Sequence, residues 1–315
     1  MTAIPLTDRQ LRAERWALRI RGWRSFMRRF ATHPSGIIGV AILAVFTILA
    51  LLPETLVGPL QTVTTATGDS LVGPSSVHIF GTDESGRDIL NLTVHGARVS
   101  LLIGLLATVI TVGIGTTIGV VSGYLGGPTD TVLMRITDFF LILPTFVLAL
   151  ILSEIIRDTV GDGEILGIKS TLVTIIIVIG ITSWAATARI IRSQALSLRE
   201  RAFVDRARVI GSSSAHIMRV HIVPNVLSLV VANTVLTFSG AVLTETGLSF
   251  IGLGDPFQPS WGEILDAANS SGAPGLGAWW YMAAPGISIV LVVLAFTLVG
   301  NALDDTLNPK LASRQ

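Results

Sequence analysis

Long apolar runs separated by short polar intervals dominate the chain. Six stretches are apolar enough to cross a bilayer: Gly36 to Leu52, Val99 to Val121, Leu133 to Ser153, Thr171 to Ala188, Ile222 to Thr244 and Gly277 to Leu303. A helix rises about 1.5 Å per residue, so a hydrocarbon core of roughly 30 Å takes about 20 apolar residues. Five of the six carry no charge; the third holds Arg135 and Asp138 near its start. Membrane barrels alternate apolar and polar positions in strands of about ten residues, and these runs do not alternate. Backbone groups in lipid must be satisfied within the segment, which makes the runs helices. The expected fold is an all-α integral membrane protein of six transmembrane helices, with a helix-turn-helix between spans four and five. The divisions expected are a basic N-terminal tail (1–35), a first span with its outer loop (36–97) and a five-helix core (98–315).

The charge pattern orients these spans. Arg9, Arg12, Arg15, Arg19, Arg21, Arg24, Arg28 and Arg29 crowd the segment before span one. A second arginine group, from Arg189 to Arg219, follows span four. The interval from Gly247 to Tyr281 holds no Lys or Arg. Positive charge marks the cytoplasmic side, so both termini and the interval after span four are expected inside. About 35 mostly polar residues precede the first span, which does not fit a cleavable signal peptide. Residues 9–29 could form a basic amphipathic helix lying on the inner leaflet, or simply a tail that obeys the positive-inside rule.

Composition agrees and removes function classes. Of 315 residues, 50% are hydrophobic and 14% charged, and mean hydropathy is +0.69. Soluble domains carry about 25% charged residues. There is no cysteine, hence no disulfide, thiolate metal site or Cys nucleophile. The two lysines, Lys169 and Lys310, sit in no phosphate-binding loop, since Ile168 and Pro309 precede them. No H-E-x-x-H or G-x-S-x-G occurs. His216 and His221 are five apart, which misses the i, i+4 spacing of a helical metal pair. Neither a catalytic residue, a metal nor a cofactor is expected in this chain.

The richest segment follows span four. Ala195 to Ile210 has good helix propensity, Gly211 can end it in a left-handed conformation, and Ser212 or Ser213 can cap a second short helix, Ala215 to Ile222, that runs into Pro224. The spacing Asp205-Arg206-Ala207, three residues, Gly211, nine residues, then His221-Ile222-Val223-Pro224 resembles the E-A-A…G…I-x-L-P motif of membrane subunits of ATP-binding-cassette importers. Arg206 and His221 depart from that motif. Phe80-Gly-Thr-Asp-Glu-Ser-Gly-Arg-Asp88, Leu248-Ser-Phe-Ile-Gly-Leu-Gly254, Pro259-Ser-Trp-Gly262 and Asp304 to Pro309 resemble the C-type permease subunit of dipeptide and oligopeptide importers. The resemblance covers about residues 25–311. It implies half of a translocation pathway in a bacterial inner membrane, paired with a homologous second permease subunit. It further implies two ATPase subunits, which would hold ATP and Mg, and an extracytoplasmic peptide-binding protein. No nucleic-acid partner is expected.

By that resemblance, Asp205, Arg206, Ala207, Arg208, Gly211 and Ser212 would form the coupling turn that meets an ATPase subunit. Asp138, Pro144 and Glu245 are candidate gate or pathway residues. For Asp138 an i, i+3 pair with Arg135 is the plainer reading, and for Glu245 a bond between helices. Pro144 should kink span three. Asp83, Arg87 and Trp261 are candidate contacts for the binding protein, although Asp83 and Arg87 also read as a structured turn and Trp261 as part of an aromatic belt. Gly115, Gly119 and Gly123 form a small-residue stripe suited to close helix approach, within the chain or at a subunit seam. Two other functions fit the same spans: import of a metal chelate such as nickel or haem, and a stand-alone secondary transporter. The latter usually places ionisable groups at mid-membrane, and spans four to six have none.

Overall fold

A computed structural model describes residues 26–161, 163–165 and 168–307. Most of the basic segment 9–29 lies outside them. The described chain is almost wholly helical: α1 Pro34–Leu51, α2 Pro53–Val57, α3 Ile89–Leu125, α4 Gly127–Ile142, α5 Thr145–Val160, α6 Ser170–Thr182, α7 Trp184–Arg199, α8 Ala202–Val209, α9 Ser214–Ile217, α10 Val223–Leu248, α11 Trp261–Ser270 and α12 Trp279–Leu307. A two-residue antiparallel pair, β1 Glu164–Ile165 with β2 Ile168–Lys169, precedes α6. Five helical segments are long and apolar enough to cross a membrane, and the bent pair α4–α5 makes a sixth if counted as one span. The chain is a multi-pass membrane protein.

The axis of the molecule is α3. Its 37 residues outrun the apolar stretch that starts at Val99, because Asp88 fixes the helix start ten residues earlier. The Asp88 carboxylate accepts from Leu90 N at 2.7 Å and from His78 Nδ1 at 3.0 Å. The turn before it is built on Asp83, whose Oδ1 accepts from Ser85 N and Arg87 N, both at 2.8 Å. Gly81 and Gly86 adopt φ of +73° and +79° there, which L side chains resist. The conspicuous 80–88 run is therefore the N-terminal brace of α3.

Small residues set how closely α3 is packed. A Cβ on Gly115, Gly119 or Gly123 would lie 2.6–2.7 Å from atoms of Thr187, Ala188 and Ala195 respectively. The glycine stripe is thus an intrachain seam with α7. On another side, α1 lies against α12, where Gly39 faces Ala295 and Val299. Phe238 of α10 stacks on Phe296 of α12 at 4.0 Å between centroids.

Span three bends at Pro144 as expected, and sharply: α4 and α5 meet at 91°. Leu143 takes extended φ/ψ of −73° and 134°, because the residue before proline is pushed out of the helical region. Leu148 N then donates to Pro144 O, restarting the helix. The helix expected over 195–210 is broken at Glu200 and Arg201, where α7 ends and α8 begins at a new angle allowed by extended Arg201. The short helix expected to run into Pro224 is not separate from span five. The turn Met218–Ile222 is π-helical and leads without a gap into α10, with proline in its first turn. Proline lacks only a donor that a first turn leaves unused.

Candidate functional site

The elbow between α7 and α10 is the strongest candidate. Helix α8 ends in a Schellman arrangement: Gly211, at φ +82°, donates to Arg208 O at 2.9 Å, and Ser212 N donates to Ala207 O at 3.0 Å. Ser213, rather than Ser212, caps α9, its Oγ accepting from His216 N at 3.3 Å. Val204 and Ala207 point inward and pack with Tyr124, Ile191, Ile217 and Ile222. Arg208 spans the two sides of α8, bonding Asp205 at 3.0 Å and lying 5.5 Å above the Tyr124 ring.

The outward face has a different chemistry. Arg206 is exposed, so its departure from the motif's alanine changes surface and not packing. At the tip, Val209 is 89% and Ile210 81% exposed. Two aliphatic side chains held in water beside arginines on a capped, anchored turn suit insertion into a partner's groove. No spacing rule pointed to them, since residues 209 and 210 lie between the motif's fixed positions.

Elsewhere the candidates separate. Asp138 pairs with Arg189 of α7 at 2.6 Å, both groups half exposed, and not with Arg135. A neighbouring pair escaped sequence reading altogether. Asp130 receives Arg192 through two bonds of 2.6 Å, and the Ser122 hydroxyl donates to the same carboxylate. Part of the arginine excess after span four therefore clamps α4 to α7. Glu245 is fully buried, accepting from Ser100 at 3.1 Å and Ser249 at 2.9 Å. It ties α10 to α3, which removes it from any open path in this conformation.

At the opposite end, Trp261 is not a surface group. Its indole is fully buried, donates to Thr93 O at 2.9 Å, and meets Phe46 edge-on at 5.6 Å between centroids. The short helix α11 folds back into the bundle and carries the tryptophan inward. Asp83 is buried as well and forms an ion pair with the Arg87 guanidinium at 2.5 Å. Beside them opens a cavity of about 540 Å³ lined by Leu60, Val63, Glu84, Arg87, Phe257, Glu263, Ile264 and Tyr281 among others. Burial pushes Glu263 up to about 7, helped by the negative charges of Asp266, Asp255 and Glu245. Nothing in the sequence signalled Glu263, because only the fold gathers these carboxylates.

With this geometry in hand, comparison with known proteins is direct. Residues 115–313 match the family described as binding-protein-dependent transport system inner membrane component. The dipeptide transport system permease protein DppC of Alkalihalophilus pseudofirmus is 33% identical, over 92% of this chain and 91% of that protein. OppC, the oligopeptide transport system permease protein of Bacillus subtilis, is also 33% identical, over 92% and 90%. A putative peptide permease protein of Brucella suis is 38% identical over 75% of this chain and 74% of its own. The fold resembles a chain solved in inward-facing conformations of the MetNI methionine ABC transporter, at a TM-score of 0.53 and 20% identity, covering 67% of this chain and 93% of that one. The chain belongs to the family of inner membrane components of binding-protein-dependent transport systems.

Proposed function

We propose that this chain is the C-type permease subunit of an ATP-driven importer of di- or oligopeptides, lying in a bacterial inner membrane with both termini in the cytoplasm. It forms half of the translocation pathway, and a homologous second permease subunit forms the other half. Two ATPase subunits bind ATP and Mg and perform the hydrolysis, while this chain contributes no catalytic group. An extracytoplasmic binding protein delivers the peptide. The relatives' names favour peptides over metal chelates.

The carrying observation is the elbow. It is anchored by Val204 and Ala207, shaped by Gly211, and tipped with exposed Val209 and Ile210. In this reading the tip and the flanking Arg206 seat in an ATPase subunit. When the two ATPases close on ATP, the seated turn moves, and α7 and α10, which it joins, transmit that motion. Pro144, at the 91° bend, is the position where the wall formed by α4 and α5 can change angle. A groove between α3 and α10, lined by Thr116, Thr117 and Thr234, offers neutral hydroxyls to a zwitterionic peptide.

The test is uptake and ATP hydrolysis by the reconstituted complex, with wild type and Gly211→Val. A Cβ at 211 would meet nothing within 4 Å, so the substitution acts through backbone strain alone, about 1–2 kcal/mol for an L residue in the left-handed region and more for a β-branched one. Peptide uptake should fall several-fold relative to ATP hydrolysis. Uptake tightly coupled as in wild type would remove the elbow from the mechanism, and a chain isolated with no ATPase would remove the importer.

A further inference from the structure

The cavity beside α11 has features that neither the family nor the α3 brace accounts for. Tyr281 is fully buried and lines the cavity, its hydroxyl facing the Glu84 carboxylate without a well-formed hydrogen bond to it. The Oε2 of Glu84, on the same wall, is enclosed and makes no other hydrogen bond among the described residues. Among the described residues Glu263 makes no side-chain hydrogen bond or ion pair, and its Oε2 occupies the space a Cβ on residue 254 would need, at 2.3 Å. Gly254 therefore leaves room for a carboxylate that no described residue neutralises. The one basic group of the wall, Arg87, is engaged with Asp83 at 2.5 Å and Glu84 at 3.8 Å.

Around these groups the wall mixes apolar side chains, among them Leu60, Val63, Phe257 and Ile264, with the polar Gln61, Thr62, Thr64 and Ser85. At the rim, Phe257 is 83% exposed. A pocket with apolar patches and an unpaired carboxylate, Glu263, suits a long aliphatic stem ending in a cation. Lysine and arginine side chains have that form, and a carboxylate with a neighbouring hydroxyl satisfies an ammonium or guanidinium. Loops at this end of the bundle line the pocket, away from the groove between α3 and α10, and an exposed aromatic at its rim suits a protein surface better than a passing peptide.

We infer that this pocket receives a lysine or arginine side chain of the extracytoplasmic binding protein, held by Glu263, Glu84 and the Tyr281 hydroxyl. The inference rests on the importer reading above and adds where, and by what chemistry, the binding protein is anchored.

The experiment uses the whole complex in lipid nanodiscs and the binding protein that supports uptake by wild type, with and without peptide. Affinity is measured for wild type, Glu263→Gln and Tyr281→Phe, at low and high salt. Glu263→Gln, nearly isosteric, should weaken binding by about tenfold or more and flatten its salt dependence. Tyr281→Phe should weaken it less. Affinities within twofold of wild type for both would overturn the anchor. A second readout covers poorly folded variants: this chain has no cysteine, so Phe257→Cys gives one maleimide site in it at the rim. Binding protein should shield that site, and peptide alone should not. Shielding by peptide alone would assign the pocket to substrate and overturn the inference. A wild-type complex that neither binds the protein nor answers it with ATP hydrolysis would instead overturn the importer reading.

Discussion

At the scale of single residues, the same side-chain type acts differently according to what surrounds it. Glu245 and Glu263 lie at the same end of the molecule. The first is buried but satisfied by two serine hydroxyls. The second has no side-chain partner among the described residues; burial, reinforced by three other carboxylates, holds its proton up to about 7. The sign of the resulting stability change follows from linkage. In the unfolded chain Glu263 loses its proton near 4.5, while in the folded chain it keeps it to about 7. Between these values the folded state binds more protons, so stability falls as pH rises through that window. Glu263→Gln has no such proton to lose. Its melting temperature should match wild type near pH 4.5 and exceed it at pH 8, measured on the solubilised protein without binding protein. An equal gap at both pH values would mean the carboxylate is neutralised in a way the fold does not display.

At the scale of elements, glycine on one helix supplies opposite signs. Gly119 and Gly113 both belong to α3. A Cβ at 119 would sit 2.6 Å from the backbone carbonyl of Ala188, whereas at 113 it would meet nothing within 4 Å. Backbone cannot step aside as a flexible side chain can. Gly119→Ala should therefore prise α3 from α7 and cost about 1–3 kcal/mol. Gly113→Ala gains helix propensity worth about 1 kcal/mol. Thermal melts of the two variants should move in opposite directions, and a shift of the same sign would refute the seam. What the sequence made legible follows the same division. Period and length announced the spans, and the turn glycine Gly211 announced a left-handed position, because both are local properties. The partners of Asp138, the Asp130–Arg192 clamp and the carboxylates around Glu263 were not legible, since each joins residues far apart in sequence. Trp261 was misplaced for a related reason: a tryptophan near a span end is usually interfacial, and only the inward fold of α11 buries it.

At the scale of the whole molecule, the two candidate surfaces lie at opposite ends of one bundle. Helix α3 starts beside Trp261 and ends at Tyr124 under Arg208. Helix α10 leaves the elbow at Val223 and reaches Glu245 near α11. With 26 residues at about 1.5 Å each, α10 alone is long enough to span the hydrocarbon core. In the proposed reading, a signal from one end to the other needs no long lever: two continuous helices already connect the elbow to the pocket beside α11. This arrangement fixes a topological expectation that the absence of cysteine makes simple to check. Single cysteines placed at exposed Ile210 and at exposed Phe257 should react with a membrane-impermeant maleimide from opposite sides. In intact cells the 257 site should label and the 210 site should not; in inside-out vesicles the order should reverse. Labelling of both sites from one side would break the bundle orientation, and with it the pairing of an ATPase at the elbow and a binding protein at the pocket.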